Sequence, residues 1–187
     1  MLKAVNITKK FGDNTVLENF SHEFAHGKTT AILGRSGGGK TTLLNILMSL
    51  LPPDSGEVVR EGRISAIFQE DRLCENLTAS ANIRLVTGKR FSKAQIANEL
   101  EAVGLEGCAG KPVRELSGGM KRRVAMLRAL LTEYDILFAD EPFKGLDEVT
   151  REIVMSYFKE KTAGKTVILV THDSVECEEL ADEIIHL

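Results

Sequence analysis

The sequence predicts an α/β fold with a mostly parallel core sheet, because buried strand patterns alternate with helical patterns along most of the 187 residues. Two features refine this prediction. The chain opens with strand patterns separated by a turn, which indicates an N-terminal antiparallel β subdomain. A polar, helix-rich stretch then interrupts the alternation, which indicates an inserted α-helical subdomain. We expect a single domain over 1–187, with a core of about 1–68 and 132–187 and a helical subdomain of about 69–131.

The first third of the chain predicts three strands, at residues 2–8, 16–24 and 29–33. The turn sequence Gly12-Asp13-Asn14 separates the first two, as expected for an antiparallel pair. The third strand runs directly into a glycine-rich loop. A helix is expected from residue 40 to about 51, where two prolines end it.

The remaining pattern predicts further elements in the same alternation. Short strands are expected at 58–59 and 64–68, and helices at Ser92 and Ser117, both with apolar residues at helical spacing that predict core positions. Buried strands follow at 136–139 and 166–170, divided by a helix that Asp147 caps. A helix near 174–181 and a strand at 183–187 complete the prediction.

Composition and charge exclude several classes of protein. A net charge of −3 argues against a dedicated nucleic-acid binder, so no nucleic acid is expected as a partner. No apolar run approaches the ~20 residues of a membrane-spanning helix. The N-terminus lacks the pattern of a signal peptide and the three cysteines form no CxxC pair, so we expect a cytoplasmic protein with reduced thiols.

The strongest motif is the glycine-rich loop at residues 34–41, which matches G-x-x-x-x-G-K-[ST] between a strand and a helix. Such a loop directs backbone N–H groups at phosphate oxygens, and the helix dipole adds to this. Lys40 is expected to neutralise the β and γ phosphates, Thr41 to bind Mg²⁺, and Thr42 to contact phosphate. The candidate phosphate-binding residues are Gly34, Ser36, Gly37, Gly38, Gly39, Lys40, Thr41 and Thr42.

A second motif is the carboxylate pair Asp140-Glu141, which ends the predicted strand at 136–139. The carboxyl edge of a parallel sheet is where its ligands bind, so both residues are expected beside the phosphate loop. Asp140 is expected to hold Mg²⁺, and Glu141 to orient or deprotonate the attacking water. Together the two motifs predict a P-loop nucleotide hydrolase or transferase.

A third motif narrows the class of enzyme. Leu116-Ser117-Gly118-Gly119 places a capping serine and two glycines before an amphipathic helix. It resembles the LSGG signature of the ATP-binding cassette (ABC) ATPases, and the resemblance covers essentially the whole chain. It implies the ABC ATPase fold, ATP with Mg²⁺ as ligands, and a head-to-tail dimer. Ser117, Gly118 and Gly119 of one copy would then contact the γ-phosphate held by the P-loop of the other.

The resemblance also assigns roles to residues outside these motifs. Gln69 corresponds to the Q-loop glutamine near Mg²⁺ and the lytic water, and His172 to the switch histidine that contacts the γ-phosphate. Phe11 corresponds to the A-loop aromatic that stacks on adenine, although a Phe near a strand end is also commonly a core residue. Residues 145–147 resemble the D-loop of the dimer interface.

Two positions depart from the common family pattern without removing a catalytic group. Met120 stands where many signatures have glutamine, and Lys144 lies in the D-loop region. The combination of Leu-Ser-Gly-Gly-Met with Glu-Pro-Phe-x-x-Leu-Asp resembles ATPase subunits of importers of the nitrate, sulfonate and taurine type.

The leading hypothesis is a Mg-dependent ATPase subunit that dimerises with a second copy and drives a separate integral membrane permease from the cytoplasmic face. The alternative is a soluble ABC ATPase that acts as a mechanical switch on nucleic acid or ribosomes. Such proteins usually carry a second cassette or a coiled-coil insertion, and neither is visible here. A small P-loop kinase would leave residues 116–120 and His172 unexplained.

Overall fold

Residues 1–35 and 37–187 are described by the computed structural model, and they fall into two units. Unit 1 comprises Met1–Ile64, Tyr134–Glu141 and Gly164–Leu187, and unit 2 comprises Ser65–Glu133 and Pro142–Ala163. The predicted subdomain boundaries near 69 and 131 stay a prediction.

An antiparallel sheet forms the first part of unit 1. It contains β1 (Leu2–Phe11), β2 (Asn14–Phe24) and β4 (Ser55–Arg60), with β1 in the centre. Gly12, at φ +58°, and Asp13 join β1 to β2, and Phe11 pairs with Asn14 next to this turn. The predicted antiparallel start is therefore confirmed. Both strands extend closer to the turn than their apolar patterns indicate.

A parallel sheet forms the second part of unit 1. In it β6 (Ile136–Asp140), β7 (Thr166–Val170), β3 (Thr29–Leu33) and β8 (Glu183–His186) lie side by side in that order. Every residue of β6 and β7 is buried, as is typical of parallel strands covered on both faces. The carboxyl ends of β3, β6 and β7 meet at one edge, where Val170 pairs with both Asp140 and Ile32.

Two helices belong to unit 1, α1 (Lys40–Leu47) and α6 (Ser174–Leu180). Helix α1 buries Leu43, Leu44, Ile46 and Leu47. The prediction that α1 reaches about residue 51 is wrong, because Ser49 adopts a left-handed conformation with φ +61° and ends the helix before the prolines.

Unit 2 is mainly helical. Strand β5 (Ile64–Ile67) leads into it, and it contains α2 (Ala79–Thr87), α3 (Lys93–Glu101), a 3-10 turn (Val113–Glu115), α4 (Gly118–Leu130) and α5 (Glu148–Thr162). The expected caps form: Ser92 makes a reciprocal capping box with Gln95, and Asp147 accepts a hydrogen bond from the Thr150 N–H.

The core positions predicted for the helices at Ser92 and Ser117 are buried, namely Ile96, Leu100, Val103, Val124, Leu127 and Leu131. In α5 the apolar pattern is less informative, because Ile153 is exposed while Val154 and Phe158 are buried. No helix in the described part of the chain has the length and apolarity needed to cross a membrane.

Candidate nucleotide site

The glycine loop between β3 and α1 encloses the side chain of Lys40. The Lys40 ammonium donates to the carbonyl oxygens of Gly34 (2.7 Å) and Arg35 (2.9 Å), and the residue is only 8% exposed. Two loop glycines adopt φ values that favour glycine, +80° at Gly37 and +90° at Gly39. The loop therefore holds a buried positive charge at the end of a parallel strand. Ser36, which is also a predicted phosphate-binding residue, lies outside the described residues.

The first turn of α1 is shaped as an anion site. Gly39 is its N-cap residue, so no side chain accepts a hydrogen bond from the first N–H groups, and no acidic residue lies in the first turn. The leading N–H groups of a helix have no intrahelical acceptor and carry the positive end of the helix dipole. Together with Lys40 they suit a ligand with several negative oxygens, such as a polyphosphate.

The Thr41 hydroxyl and the Asp140 carboxylate are in direct contact. Thr41 Oγ1 donates to Asp140 Oδ2 at 2.8 Å, and Asp140 is 6% exposed. Among the described residues no group of three or more His, Cys, Asp or Glu could form a metal cage. Mg²⁺ in phosphate-transfer sites is bound by one or two carboxylates together with phosphate oxygens. The hydroxyl and carboxylate pair fits that kind of Mg²⁺ site.

Glu141 and His172 form a second polar pair at the same edge of the sheet. Glu141 Oε1 lies 3.2 Å from His172 Nδ1, within hydrogen-bond distance. The Glu141 side chain is 17% exposed and the His172 side chain 67% exposed. A carboxylate and an imidazole in contact at the rim of a phosphate site can take up and orient a proton of a bound water.

The backbone of Glu141 is strained, which sequence reasoning did not find. Its φ is +47°, a conformation that costs energy for a residue with a Cβ atom. Its N–H donates to the Val170 carbonyl at 2.8 Å, which extends the ladder between β6 and β7 by one bond. Strain of this kind is frequently found in functional sites, where the surrounding structure holds it in place.

Phe11 ends β1 and is exposed. The residue is 52% exposed, and the Lys9 ammonium lies 5.7 Å from the ring centroid. The alternative that Phe11 is a core residue is therefore wrong. An exposed aromatic face of this kind can stack on a nucleobase.

The remaining predicted site residues belong to unit 2. Ser117 caps α4, and its Oγ accepts a hydrogen bond from the Met120 N–H at 3.3 Å. Gly118 and Gly119 form the first turn of α4, and a Cβ atom on Gly119 would lie 3.5 Å from the Gly145 carbonyl oxygen. Gln69 is exposed in the segment that follows β5.

Sequence reasoning missed Arg122, a buried charged residue of unit 2. It lies on α4 and its guanidinium contacts the main chain at Phe68, Gln69 and Pro142. Arg122 precedes the buried Met126 by one helical turn, and this spacing is the only sequence signal of its burial.

A lysine-bearing glycine loop after a parallel strand, with a carboxylate pair at the end of a neighbouring strand, defines a P-loop nucleoside triphosphatase. The family model described as ABC transporter matches residues 17–144. The chain belongs to this family. It is an ATP-binding and ATP-hydrolysing subunit of that class, with the ABC ATPase fold.

Relatives and solved structures agree with this assignment. The chain is 40% identical over 192 residues to the aliphatic sulfonates import ATP-binding protein SsuB 1 of Nocardia farcinica, covering 98% of this chain and 78% of the relative. It is 35% identical over 198 residues to the lantibiotic transport ATP-binding protein SrtF of Streptococcus pyogenes, covering 98% and 85%. A dimeric post-hydrolysis structure of the ATP-binding cassette MJ0796 with ADP and Pi superposes with a TM-score of 0.89 at 32% identity, covering 100% and 94%.

Proposed function

We propose that this ATPase works as a head-to-tail dimer that closes on two Mg-ATP molecules and drives solute transport through a separate membrane permease. The observation that carries the proposal is the pair of contacts at the edge of the parallel sheet, Thr41 with Asp140 and Glu141 with His172. These contacts would provide a metal ligand set and a proton acceptor next to a phosphate-binding loop, which is what hydrolysis of a nucleoside triphosphate requires.

ATP would be bound mainly by charge and by backbone N–H groups. Lys40 would exchange its two carbonyl partners for the β and γ phosphates, which are stronger acceptors because they are charged. The N–H groups of the glycine loop and of the first turn of α1 would contact the same phosphates. The proposed phosphate-binding residues are Gly34, Ser36, Gly37, Gly38, Gly39, Lys40, Thr41 and Thr42. Phe11 would stack on the adenine through its exposed face.

Hydrolysis would depend on five residues and on Mg²⁺. Thr41 and Asp140 would hold the metal, which neutralises negative charge on the phosphates. Glu141 would accept a proton from the attacking water, and His172 would orient that water and contact the γ-phosphate. Gln69 would contact the metal and the water, as the resemblance to ABC ATPases implies. The strained backbone of Glu141 supports its role, because strain of this kind is frequently found in functional sites.

The signature residues would complete the site of a second copy. Ser117, Gly118 and Gly119 form the N-terminus of α4, a helix start that can bind the γ-phosphate oxygens. The dimeric structures of the MJ0796 cassette support a dimer. Each site would then contain residues from two chains, so the isolated monomer would hydrolyse ATP poorly.

The proposed transport system is an importer of the nitrate, sulfonate and taurine type. The similarity to SsuB 1 supports this type, as do the Leu-Ser-Gly-Gly-Met and Glu-Pro-Phe-x-x-Leu-Asp motifs. The chain would be attached peripherally to the cytoplasmic face of the cell membrane through its permease. No observation favours the alternative of a mechanical switch on nucleic acid or ribosomes.

Size-exclusion chromatography of Glu141→Gln tests the dimer and the role of Glu141 together. The variant should bind Mg-ATP and elute as a dimer only with Mg-ATP. In an ATPase assay its rate of hydrolysis should fall at least about 100-fold, because general base catalysis is removed. Lys40→Ala is the matched control, and it should lose nucleotide binding and stay monomeric. A Glu141→Gln protein that stays monomeric with saturating Mg-ATP would refute the closed dimer.

Affinity purification from detergent-solubilised membranes tests the transport proposal. Glu141→Gln with Mg-ATP should recover an integral membrane protein, and Lys40→Ala should show how far this recovery depends on ATP. Exclusive recovery of ribosomes or DNA would contradict the proposal.

A further inference from the structure

Arg122 is a buried charge that neither motif reasoning nor the proposed mechanism uses. It follows the signature by one helical turn in α4 and is 4% exposed. A buried guanidinium is tolerated only where acceptors satisfy its N–H groups. The acceptors of Arg122 therefore identify the chain segments that this residue holds in place.

The acceptors lie on two chain segments. Arg122 Nη1 donates towards the carbonyl oxygens of Phe68 (2.5 Å) and Gln69 (3.3 Å) and towards Asp71 Oδ1 (3.2 Å). On the other side, Arg122 Nε donates to the Pro142 carbonyl at 3.1 Å. Nη1 carries two hydrogens for three acceptors, so at least one of these bonds is shared.

These contacts connect two segments of unit 2 that are distant in sequence. One segment contains Gln69 itself, and the other begins at Pro142, directly after Glu141. Only a planar, forked cation with donors at both ends can bond both at once. Gln69 is exposed, so Arg122 fixes its main chain while the residue remains open to solvent.

A second arginine of α4 supports the same segment at a different place. Arg128 donates to the carbonyl oxygens of Asp71 (3.0 Å) and Arg72 (2.8 Å), and the Arg72 guanidinium stacks 3.8 Å from the Phe68 ring centroid. The segment after β5 is thus anchored along its length. Of these contacts, the one with Gln69 is made by Arg122.

We propose that Arg122 is a positioning residue for ATP hydrolysis, which holds the Gln69 backbone in register with the segment that follows Glu141. This inference rests on the proposed role of Gln69 near Mg²⁺ and the lytic water. Loss of Arg122 would misplace Gln69 without changing the P-loop, so the turnover step would suffer while ATP binding would not. Misplacement of a catalytic group by about 1 Å costs up to about 100-fold in rate.

The test compares steady-state ATP hydrolysis and thermal unfolding of Arg122→Met and Arg122→Lys with wild type. Arg122→Met keeps an unbranched apolar chain in place of the arginine stem but loses every donor. The kcat should fall by between about 10-fold and 100-fold, with the KM for ATP unchanged within about twofold. Arg122→Lys should also lose turnover, because one ammonium cannot reach Pro142 and Gln69 together. If Arg122→Met does not fold, Arg122→Lys decides the question.

Tyr157→Phe is the control for destabilisation of unit 2. The Tyr157 hydroxyl donates to Glu99 Oε2 at 2.5 Å, so its loss removes a charge-assisted hydrogen bond in the same unit. The melting temperature should fall in Tyr157→Phe as in Arg122→Met, while kcat should stay at the wild-type value. An equal loss of kcat in Tyr157→Phe would show that Arg122 has only a structural role and would overturn the inference.

A double-mutant cycle separates this inference from the proposed function. If Arg122 acts through Gln69, the double variant Gln69→Ala with Arg122→Met should lose no more than about twofold in kcat beyond Gln69→Ala alone. Multiplicative losses, or wild-type kcat in Arg122→Met, would refute the inference while leaving the role of Gln69 intact. Wild-type kcat in Gln69→Ala would instead refute the proposed function of Gln69, and the inference with it.

Discussion

The strained backbone of Glu141 gives a prediction with an unusual sign. Replacement by glycine should give a more stable protein than replacement by alanine, although both remove the same carboxylate. At φ +47° the Cβ atom of alanine is unfavourable, whereas glycine adopts this conformation freely. Both variants lose the contact with His172, so that loss cancels in the comparison.

The expected difference in the free energy of unfolding between Glu141→Gly and Glu141→Ala is the balance of two opposing contributions. A residue with a Cβ atom in the left-handed region costs about 1–2 kcal/mol. Glycine lowers the free energy of unfolding by about 0.4–1 kcal/mol relative to alanine, because it makes the unfolded chain more flexible. Subtracting the two ranges gives Glu141→Gly a free energy of unfolding that exceeds that of Glu141→Ala by about 0–1.6 kcal/mol, with about 0.8 kcal/mol at mid-range. For a protein of this size the mid-range value corresponds to about 2–3 °C in melting temperature.

The same pair of substitutions at Glu152 is the matched control. Glu152 is an exposed residue in the interior of α5, where glycine is about 1 kcal/mol less favourable than alanine. The order of the two variants should therefore reverse between positions 141 and 152.

Thermal and urea unfolding without nucleotide measure both pairs, and ATP hydrolysis should be lost in both Glu141 variants and retained in both Glu152 variants. A Glu141→Gly protein that is less stable than Glu141→Ala would show that the backbone at this position is not strained.

Two further predictions concern the phosphate loop and Tyr134, a buried residue that precedes β6. Gly39→Ala should weaken Mg-ATP binding at least about tenfold, because the φ of Gly39 is +90° and a Cβ atom there would lie 2.8 Å from Val16 Cγ1. Gly88→Ala is the control, because Gly88 has φ +58° but a Cβ atom there would meet nothing within 4 Å. Nucleotide titration should show an unchanged affinity in Gly88→Ala. Burial raises the pKa of the Tyr134 phenol from its usual value of ~10 to about 12. The stabilisation that the neutral, buried phenol provides should therefore be fully present below pH ~10 and lost as the pH rises towards 12. Urea unfolding of the wild-type protein should show that the free energy of unfolding falls by about 1 kcal/mol by pH 11, and this fall should be absent in Tyr134→Phe. The same pH dependence in Tyr134→Phe as in wild type would contradict the assignment to Tyr134.

The order of strands and helices could be predicted from sequence because each element carries its own local signal. The buried runs of β6 and β7, the capping serines of α3 and α4, and the turn at Gly12 are all readable in short windows. Element ends were less predictable. Helix α1 stops at Leu47 because Ser49 turns the chain, and no residue type specifies that turn as strongly as the prolines that follow.

The motif residues of the site could also be predicted, but their contacts could not. The distance between Thr41 and Asp140 depends on the register of β3, β7 and β6, which no local pattern encodes. The acceptors of Arg122 are distant in sequence, and a polar residue on a helix ordinarily indicates a solvated face.

The peptide between Glu141 and Pro142 combines these two observations. Glu141 ends one segment of unit 1 and Pro142 begins one of unit 2, so the chain passes between the units at this peptide. On one side the Val170 carbonyl holds Glu141 in a strained conformation, and on the other Arg122 holds the Pro142 carbonyl.

The ring of Pro142 restricts the rotation between them. Glu141 and the Pro142 carbonyl are therefore each held by a hydrogen bond to a residue of their own unit.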